Sequence, residues 1–291
     1  MPTAHPFNNI GFVTSGEHRD LVADDLVLAA ALERHGARVV PVVWTQMAPA
    51  RTLCDLLVLR SCWDYHLMPE AFLNWVTEAS AHTSVVNSAE IVEWNMDKRY
   101  LLDIAKQGYA VPRTVLLEKG SSADLAAIMS ASALDTVVVK PAISLSAYET
   151  YLVQADHANN FSAKLNQLLR SRDMLVQEYI PEIASAGEWS LIYLGGEFSH
   201  AVRKLPRSGD FRVQHEYGGS AQLATAPELM LNTAASILRH FAPQALYCRA
   251  DVVPRQKGVT LMELELIDPV LHFELAPAAA ERVAELLLGV C

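Results

Sequence analysis

The sequence predicts a mixed α/β and α+β fold, in which an N-terminal doubly wound α/β domain is followed by two further lobes. Strands and helices alternate over the first part of the chain, and a strand–helix–strand–strand–helix–strand order follows. Two hairpins of alternating apolar residues come near the end. With 291 residues, of which 51% are hydrophobic and 19% charged, the chain is long enough for two or three ordered domains. We expect these domains at residues 1–95, 96–180 and 181–291.

The N-terminal domain is expected to be built on a parallel sheet. One helix begins with Asp24 or Asp25 as its N-cap, and Pro69 occupies a favourable position in the first turn of a second helix. Ligands of such sheets bind at the carboxyl ends of strands, so residues 15–17 and 60–65 are candidates for a substrate site. The expected strands are residues 9–14, 39–44 and 55–60.

The middle and C-terminal parts are expected to combine helices with antiparallel strands. A linking helix covers about residues 95–107, and a last helix covers about residues 278–288. The pair Gly195 and Gly196 is typical of a tight hairpin turn. The remaining expected strands are residues 113–117, 136–140, 149–153, 174–179, 188–194 and 197–202.

Composition excludes several classes of protein. The formal net charge of −10 argues against binding to a nucleic-acid backbone, and no apolar run is long enough to span a membrane. The N-terminus lacks the basic start and apolar stretch of a signal peptide. The four cysteines show no Cys-x-x-Cys spacing, which is typical of reduced thiols. We therefore expect a cytoplasmic protein without nucleic-acid or membrane partners, whose apolar content allows a homodimer without requiring one.

Three acidic residues near the C-terminus indicate a metal site. Asp251 lies in an apolar, β-branched run, and Glu263 and Glu265 lie in the next one, after a polar turn. Residues two apart on a strand point to the same face, so Glu263 and Glu265 project together, and Asp251 joins them if it pairs opposite. Carboxylate oxygens suit Mg²⁺ or Mn²⁺, which would offset the repulsion between the acids. The alternative is that all three line the solvated face of a hairpin.

A series of short motifs runs in order along residues 85–275. It begins with an Asn-x(n)-Asp-Lys segment at residues 87–98 and continues with Gly108 and Pro112. The next motifs are the pair Lys140 and Pro141, residues 177–181, residues 187–190, residues 203–212, residues 218–220 and the three acids. No single motif is specific, but together and in this order they resemble the ATP-grasp superfamily, in its glutathione-synthetase-like branch. The resemblance implies an ATP-grasp fold, in which two lobes clasp ATP, and the use of ATP with Mg²⁺ or Mn²⁺.

Two lysines are expected to contact the phosphates of ATP. Lys140 ends a buried, valine-rich strand, where its ammonium would lack a partner unless phosphate oxygens supplied one. Lys98, on a helix, would reach the same phosphates from the opposite side. The alternatives are a strand-end lysine whose ammonium reaches solvent and an ordinary lysine on a helix surface.

The resemblance also implies a nucleotide site between the two lobes. The backbone of a hinge would hydrogen-bond the adenine, while apolar side chains cover the ring. Glu178 would accept a hydrogen bond from the adenine amine, and Glu188 would hold the ribose hydroxyls. Either glutamate could instead be a charge at the edge of a strand. The hinge would consist of Gln177, Glu178, Tyr179 and Ile180.

Basic residues bracket a loop that precedes a second Gly-Gly pair. Arg203, Lys204 and Arg212 are expected to stabilise the charge of a transferring phosphoryl group and to orient the acceptor carboxylate. The alternative is that Arg212 pairs with Asp210 or Glu216 on a solvated loop, which would contribute little. The residues expected to contact the substrate after this loop are Gly218, Gly219 and Ser220.

The chain departs from the family pattern at two places. Many relatives carry a glycine-rich loop after the Lys-Pro pair, whose backbone N–H groups approach the phosphates. Here residues 142–148 contain no glycine, and Ser144 and Ser146 are expected to donate hydroxyl groups instead. The last metal position, often Asn in the family, is Glu265, and the added charge should still permit two Mg²⁺ ions.

The activity implied by the resemblance is that of an ATP-dependent carboxylate–amine ligase that acts through an acylphosphate. The small size and residues 60–65 resemble a bacterial branch that includes the cyclo-ligase closing O-ureido-D-serine into D-cycloserine. One small amino acid would then supply both the carboxylate and the nucleophile, held by Arg60, Asp64 and Tyr65. The alternatives are a ligase that joins two amino acids or extends a peptide, a phosphotransferase that stops at the phosphorylated product, and a regulatory module that only binds nucleotide.

The remaining candidate nucleophile and metal ligands are expected to be structural. Cys62 is accompanied by no matched His and Asp set, and the chemistry implied by the resemblance needs no protein nucleophile. His200, His215 and His272 lack the spacing of metal ligands.

Overall fold

The N-terminal part of the chain alternates strands and helices, as its sequence predicts. The computed structural model describes residues 7–207, 218–256 and 258–289. The first elements are β1 (Asn9–Thr14), α1 (Ala23–Arg34), β2 (Arg38–Val43), β3 (Leu56–Ser61), α2 (Pro69–Ser80) and β4 (Ser84–Val86). The four strands are all parallel and lie in the order β2-β1-β3-β4.

Two short helices follow, where the sequence predicted one linking helix. They are α3 (Ala89–Met96) and α4 (Tyr100–Lys106). Asp97 separates them: its backbone is extended, with φ −98° and ψ 117°, and its carboxylate accepts a hydrogen bond from the Arg99 amide at 2.8 Å. An aspartate that binds a nearby backbone amide competes with the helical hydrogen bonds. The break leaves Lys98 between the two helices.

The central lobe is an antiparallel sheet with helices on one face. Its elements are β5 (Thr114–Leu117), α5 (Leu125–Ala131), β6 (Thr136–Pro141), β7 (Tyr151–Gln154), α6 (Ala158–Leu169) and β8 (Met174–Glu178). The strands lie in the order β5-β8-β6-β7. Val137 and Val139 pack into the core with the two helices. Side chains alternate along a strand, so Val138 and Lys140 lie on the opposite, helix-free face.

The C-terminal part contains a five-stranded antiparallel sheet. Its elements are α7 (Glu182–Ala186), β9 (Glu188–Leu194), β10 (Glu197–Leu205), β11 (Ser220–Leu223), α8 (Glu228–Phe241), β12 (Tyr247–Arg255), β13 (Gly258–Glu265) and α9 (Pro277–Leu288). The order is β11-β10-β9-β12-β13. The hairpin predicted at Gly195 and Gly196 and the acidic hairpin β12–β13 are both present. The sequence analysis predicted none of the four elements β4, α7, β11 and α8.

Both faces of the parallel sheet are covered, which confirms the doubly wound arrangement. Phe12 packs on one face with α1 and with α9, through residues such as Val283. Val13 and Leu57 pack on the other face with α2. The last helix of the chain therefore completes the first domain. Among the residues that the structure describes, no helix is long and apolar enough to cross a membrane.

Buried asparagines fix the edge of the acidic hairpin to the linking segment. Asn95 donates to the Leu264 carbonyl at 2.7 Å and accepts from the Leu266 amide at 2.9 Å. Asn87 donates to the Leu266 carbonyl at 2.7 Å and accepts from the Leu246 amide at 2.7 Å. Both side-chain amides thus use a donor and an acceptor, as buried polar groups must. They hold β13, which carries two of the three acids, in a fixed position.

Candidate active site

One cavity collects most of the side chains that the sequence analysis singled out. It lies between the helix-free face of the central sheet, the acidic hairpin and the segment after β3, and its volume is about 340 Å³. Small-molecule sites commonly have this size. The predicted site residues that line it are Lys98, Lys140, Ser144, Ser146, Gln177, Glu178, Tyr179, Ile180, Glu188, Lys204, Gly219, Asp251, Glu263 and Glu265.

Asp251, Glu263 and Glu265 meet on one patch of the cavity wall, which we call the acidic patch. Asp251 pairs directly opposite Glu263, and one oxygen of each carboxylate lies within 4.8 Å of the others. A bulge next to this pair places Met262 on the cavity wall as well. Three carboxylate oxygens this close fit a hard divalent cation such as Mg²⁺. Their role as metal ligands stays a prediction.

Basic side chains offset the repulsion within the acidic patch. The Lys98 ammonium lies 2.8 Å from Glu263 Oε1. The Arg249 guanidinium lies 3.1 Å from Asp251 Oδ2 and also contacts Glu265. Although burial raises the pKa of Asp251, Arg249 holds it well below its usual range. Burial raises the pKa of Glu265 to about 7 in spite of Arg249, and the other two carboxylates add to the shift.

Lys204 connects the acidic patch to Glu188. Its ammonium lies 2.6 Å from Glu188 Oε1 and 3.3 Å from Asp251 Oδ2. Burial lowers the pKa of Lys204, but the two carboxylates outweigh this and raise it. Burial raises the pKa of Glu188 even with this partner. The ribose contact expected of Glu188 stays a prediction, and in this structure one of its oxygens accepts from Lys204.

Lys140 differs from Lys98 and Lys204, the other described lysines of the cavity, in its lack of a partner within the described part of the chain. It makes no hydrogen bond or ion pair with any described residue. Burial lowers its pKa, and the fields of Glu263 and Glu188 oppose this only in part. An ammonium held in a buried site without a counter-ion favours the binding of an anion. This is the position at which the sequence analysis expects a phosphate.

The hinge between the lobes leaves one backbone donor unused. The amides of Glu178 and Tyr179 donate to the carbonyls of Arg113 and Thr136 at 2.8 and 3.3 Å. No described residue accepts from the Ile180 amide. A ligand with an acceptor edge, such as adenine, would satisfy that N–H.

The side chains of the hinge are already engaged. The Glu178 carboxylate lies 3.1 Å from Arg113 Nε and 3.2 Å from an Arg255 guanidinium nitrogen. Burial raises its pKa, but these hydrogen bonds outweigh burial and lower it. Gln177 donates to the Thr114 hydroxyl at 3.1 Å. An adenine amine that donates a hydrogen bond to Glu178, as expected from the sequence, would therefore compete with two arginines.

The glycine-free loop adopts backbone conformations that glycine usually provides. Ser146 has φ 46° and Ala147 has φ 56°, a left-handed region that costs a non-glycine residue about 1–2 kcal/mol. Ser144 is buried, and its carbonyl accepts from Lys98 at 2.6 Å. Its hydroxyl lies 3.3 Å from the Pro141 carbonyl. Ser146 and Ala147 thus adopt positive φ values that glycine would adopt without this cost.

The structure corrects the prediction that Arg60 contacts the substrate. Arg60 follows Val58 at a spacing of two on β3, so its side chain points to the face that α1 covers. It is fully buried there, 2.7 Å from Asp25 and 3.3 Å from Asp24. The two acids are therefore not N-caps: α1 follows Val22 without a side-chain cap, and the acids in its first turn hold Arg60.

Asp64 and Tyr65 are also structural in this fold. Asp64 accepts from the Trp44 indole at 2.6 Å. Tyr65 is buried and stacks on Phe72, with 5.0 Å between ring centroids. Neither side chain lines the cavity, whereas their neighbour Trp63 does. The segment reaches the site through a residue to which the sequence analysis assigned no role.

Of the two predicted catalytic cations that the structure describes, Arg203 and Lys204, only Lys204 lines the cavity. Arg203 faces away: its Nε donates to the Ala186 carbonyl at 2.9 Å, and its guanidinium lies over the Trp189 ring. Adjacent residues of a strand point to opposite faces, so the two could not share a site. Arg212 lies outside the described residues. Gly218 and Ser220 do not line the cavity, although Gly219 does.

Sequence reasoning assigned no binding role to three residues of the cavity wall that carry charged or titratable side chains: Arg249, Asp268 and His272. The signal for Arg249 was present, because it precedes Asp251 by two on the same strand and must share its face. Asp268 and His272 lie beyond the end of β13, where strand periodicity no longer predicts direction. His272 was expected to be structural, and the structure places it in the cavity wall.

The chain matches two protein families in succession. Residues 10–87 match the family described as the N-terminal domain of D-cycloserine synthetase DcsG. Residues 103–269, more than half of the chain, match the family described as the ATP-grasp domain of prokaryotic glutathione synthetase.

Both known sequences and solved structures include relatives that align with most of this chain. The cycloserine biosynthesis protein DcsG of Streptomyces lavendulae is 28% identical over an alignment of 250 residues, which covers 80% of this chain and 82% of the relative. The crystal structure of D-cycloserine synthetase DcsG superposes with a TM-score of 0.85 at 24% identity, covering 97% of this chain and 99% of the other. The D-alanine–D-alanine ligase of Bacillus anthracis complexed with ATP has a TM-score of 0.69 at 15% identity, with 97% of each chain covered. These superpositions confirm the fold.

Proposed function

Because this chain belongs to the ATP-grasp family of prokaryotic glutathione synthetases, we propose that it is an ATP- and Mg²⁺-dependent carboxylate–amine ligase acting through an acylphosphate. One observation carries the proposal. The acidic patch, Lys140 and Ile180 line the same cavity, and within the described residues neither the Lys140 ammonium nor the Ile180 amide has a hydrogen-bond partner. These are a cation site, an anion site and a donor for a heterocycle, which are the three parts needed to hold a metal–nucleotide complex.

The acidic patch would hold the metal. Asp251, Glu263 and Glu265 supply the oxygens, and bound Mg²⁺ would neutralise charge on the phosphates. Lys140 would pair with phosphate oxygens, because it has no other partner among the described residues. Lys204 and Arg249 already lie beside the acids, where positive charge stabilises a transferring phosphoryl group.

Two displacements account for the reaction. A carboxylate oxygen of the substrate attacks the γ-phosphorus, and ADP leaves. An amine nitrogen then attacks the carbonyl carbon of the acylphosphate, phosphate leaves, and the nitrogen loses a proton. The protein needs no nucleophile of its own, since positioning and charge neutralisation supply the acceleration. In agreement, Cys62 is fully buried, and burial raises the pKa of its thiol well above the usual value.

The substrate we propose is O-ureido-D-serine, closed within one molecule to D-cycloserine. The match of residues 10–87 to the N-terminal domain family of D-cycloserine synthetase supports this choice, together with the relative from Streptomyces lavendulae. Ring closure joins the carboxyl carbon to the oxygen-bound nitrogen of the ureido group. The carbamoyl group is absent from D-cycloserine, so one water molecule has to cleave it from the nitrogen, and it leaves as carbon dioxide and ammonia.

ADP release measured with and without a separate amine tests this proposal. We expect Mg²⁺-dependent ADP release with O-ureido-D-serine alone, and D-cycloserine in the product by mass spectrometry. Glu263→Gln should abolish turnover, whereas Glu197→Gln, at an exposed position on β10, should not. ADP release only with pairs of amino acids would favour intermolecular ligation. ADP release with a stable phosphorylated product would favour a phosphotransferase, and ATP binding without any turnover would favour a regulatory module.

A further inference from the structure

Asp268 is a buried acid with one oxygen engaged and the other unpaired. Its carboxyl accepts a hydrogen bond from the backbone amide of Cys62. Its Oδ2 is buried and has no hydrogen-bond partner among the described residues. The residue is only 5% exposed, and it lines the cavity. Because buried polar atoms in folded proteins are nearly always satisfied, an oriented oxygen left without a partner in a cavity wall points to a ligand.

His272, which also lines the cavity, carries a second unpaired buried atom. Its Nε2 is buried and meets no partner in the described part of the chain. Its backbone has φ 57°, a left-handed conformation that is uncommon among non-glycine residues as a whole. Burial lowers its pKa to about 3, so the imidazole is neutral near neutral pH. A neutral imidazole can accept a hydrogen bond and does not repel a cation.

The other acids of the cavity wall are already paired with basic side chains. Glu263 pairs with Lys98, Glu265 with Arg249, and Asp251 and Glu188 with Lys204. Glu178 pairs with arginines of the hinge region. Within the described residues, Asp268 is therefore the one acid of the cavity wall whose carboxylate makes no ion pair shorter than 4.0 Å. A cationic ligand group would find its counter-ion there.

The segment that carries both groups is held in place. The Trp63 indole donates to the Asp268 carbonyl at 3.1 Å, and the amides of Leu271 and Phe273, on either side of His272, donate to the Asp24 carboxylate. The position of the two unpaired atoms is therefore fixed by the N-terminal domain. The pair is therefore suited to discriminate between ligands, because a preorganised site loses little conformational entropy when a ligand binds.

We propose that Asp268, together with His272, binds the α-ammonium group of the amino-acid substrate. This rests on the proposed function and narrows its substrate class to α-amino acids with an unblocked amine. An ammonium has three donors, of which Asp268 Oδ2 and His272 Nε2 accept two. The amine and the carboxylate of an α-amino acid are attached to one carbon. Fixing the amine therefore also fixes the carboxylate that is to be phosphorylated.

The pKa of Asp268 is shifted in the direction expected for a buried acid without a close cation. Burial raises its pKa well above the usual value, and the Glu265 carboxylate adds to the shift. The Arg60 guanidinium lowers the pKa, but by less than these two effects raise it. A bound ammonium would favour the ionised form. A substrate without the amine would leave a buried carboxyl group unpaired, so the site should reject it.

Kinetics with and without the amine test the inference. We would compare ADP release with O-ureido-D-serine and with its desamino analogue, 3-(ureidooxy)propanoate. In the wild-type enzyme kcat/KM should be on the order of a hundredfold higher for the amino acid. Asp268→Asn should bring this ratio close to one, while the KM for ATP and the Mg²⁺ concentration for half-maximal rate stay unchanged. Asp156→Asn, at an exposed position, is the control.

Several results would overturn the inference. Equal rates with both compounds in the wild type would overturn the inference and would still agree with the ligase function. This comparison does not depend on the folding of any variant. Loss of both rates in Asp268→Asn with an unchanged ratio would indicate a merely structural role. A raised Mg²⁺ requirement would make Asp268 a metal ligand instead. If neither O-ureido-D-serine nor any amino acid in a panel of both enantiomers supports ADP release, the proposed function fails together with the inference.

Discussion

The Lys98 ammonium lies 2.8 Å from Glu263 Oε1, although Lys98 follows α3 and Glu263 lies on β13. The same ammonium donates to the Ser144 carbonyl at 2.6 Å. Lys98 therefore ties the acidic patch to the glycine-free loop. Lys140, which the sequence analysis assigns to the same phosphates, makes no such contact with any described residue. The two lysines should respond differently to substitution.

Replacing each lysine by methionine separates a structural from a binding role. Lys98→Met leaves the Glu263 carboxylate without its partner, and we expect a loss of about 1–3 kcal/mol in the free energy of unfolding. Lys140→Met removes an ammonium that has no counter-ion, so stability should be unchanged or higher by up to about 1 kcal/mol. Both variants should raise the KM for ATP by roughly tenfold or more. Urea denaturation and ATP titration measure the two effects, with the exposed Lys106→Met as control. Equal losses of stability in both lysine variants would contradict this account.

Arg60 should be essential for stability and not for substrate binding. Arg60→Gln leaves Asp24 and Asp25 buried without a cation, which typically costs about 3–5 kcal/mol. Thermal unfolding should show a lower midpoint, while any folded fraction keeps the wild-type KM for the amino acid. A large increase in that KM without a loss of stability would restore the role predicted from the sequence.

A glycine should stabilise the loop at residues 142–148 if it is placed where the backbone is left-handed. Ala147→Gly removes the steric cost at φ 56°, and we expect stability to rise by up to about 1 kcal/mol with turnover retained. Ala142→Gly, in the same loop but without a positive φ, should instead lose about 1 kcal/mol. Chemical denaturation of the two variants gives the comparison, and the reverse order of stability would show that the loop does not adopt this conformation.

His272 should make the protein sensitive to acid. Its pKa of about 3 in the folded protein lies below the ordinary value of 6.5, so the unfolded chain binds a proton that the folded protein does not. The free energy of unfolding is therefore unaffected above about pH 6.5 and falls as the pH drops below it, by up to about 1.4 kcal/mol per pH unit.

His272→Gln should flatten this dependence. Between pH 6.5 and 5 the variant should lose roughly 1–2 kcal/mol less than the wild type, as measured by urea denaturation at each pH. His82→Gln, at an exposed position, should behave as the wild type. Parallel curves for wild type and His272→Gln would contradict the assignment.

The alternation of strands and helices was enough to predict the N-terminal α/β domain, whereas the ATP-grasp fold was predicted from the resemblance of the motifs at residues 85–275. Strand parity was enough to bring Glu263 and Glu265 to one face. Arg203 and Lys204 occupy adjacent positions on β10, so the same alternation directs their side chains to opposite faces of the sheet. The sequence analysis nevertheless assigned both to one site. The direction of Arg60 depends on which face of the sheet α1 covers, and that is decided by packing between distant parts of the chain.

The polar groups beyond the end of β13 could not be placed from the sequence. Periodicity ends with the strand, and the directions of Asp268 and His272 are set by the indole of Trp63 and by the carboxylate of Asp24. These contacts join segments that are far apart in the chain. The roles of the cavity residues in binding ATP and metal stay predictions.

Oxygen transfer from the substrate carboxylate tests the central claim most directly. An amino acid that supports ADP release, beginning with O-ureido-D-serine, would be labelled with ¹⁸O in its carboxylate, and the released phosphate analysed by mass spectrometry. Ligation through an acylphosphate predicts one ¹⁸O atom in each phosphate formed in the first turnovers. Unlabelled phosphate, formed together with ADP, would mean that the carboxylate is never phosphorylated and would contradict the account.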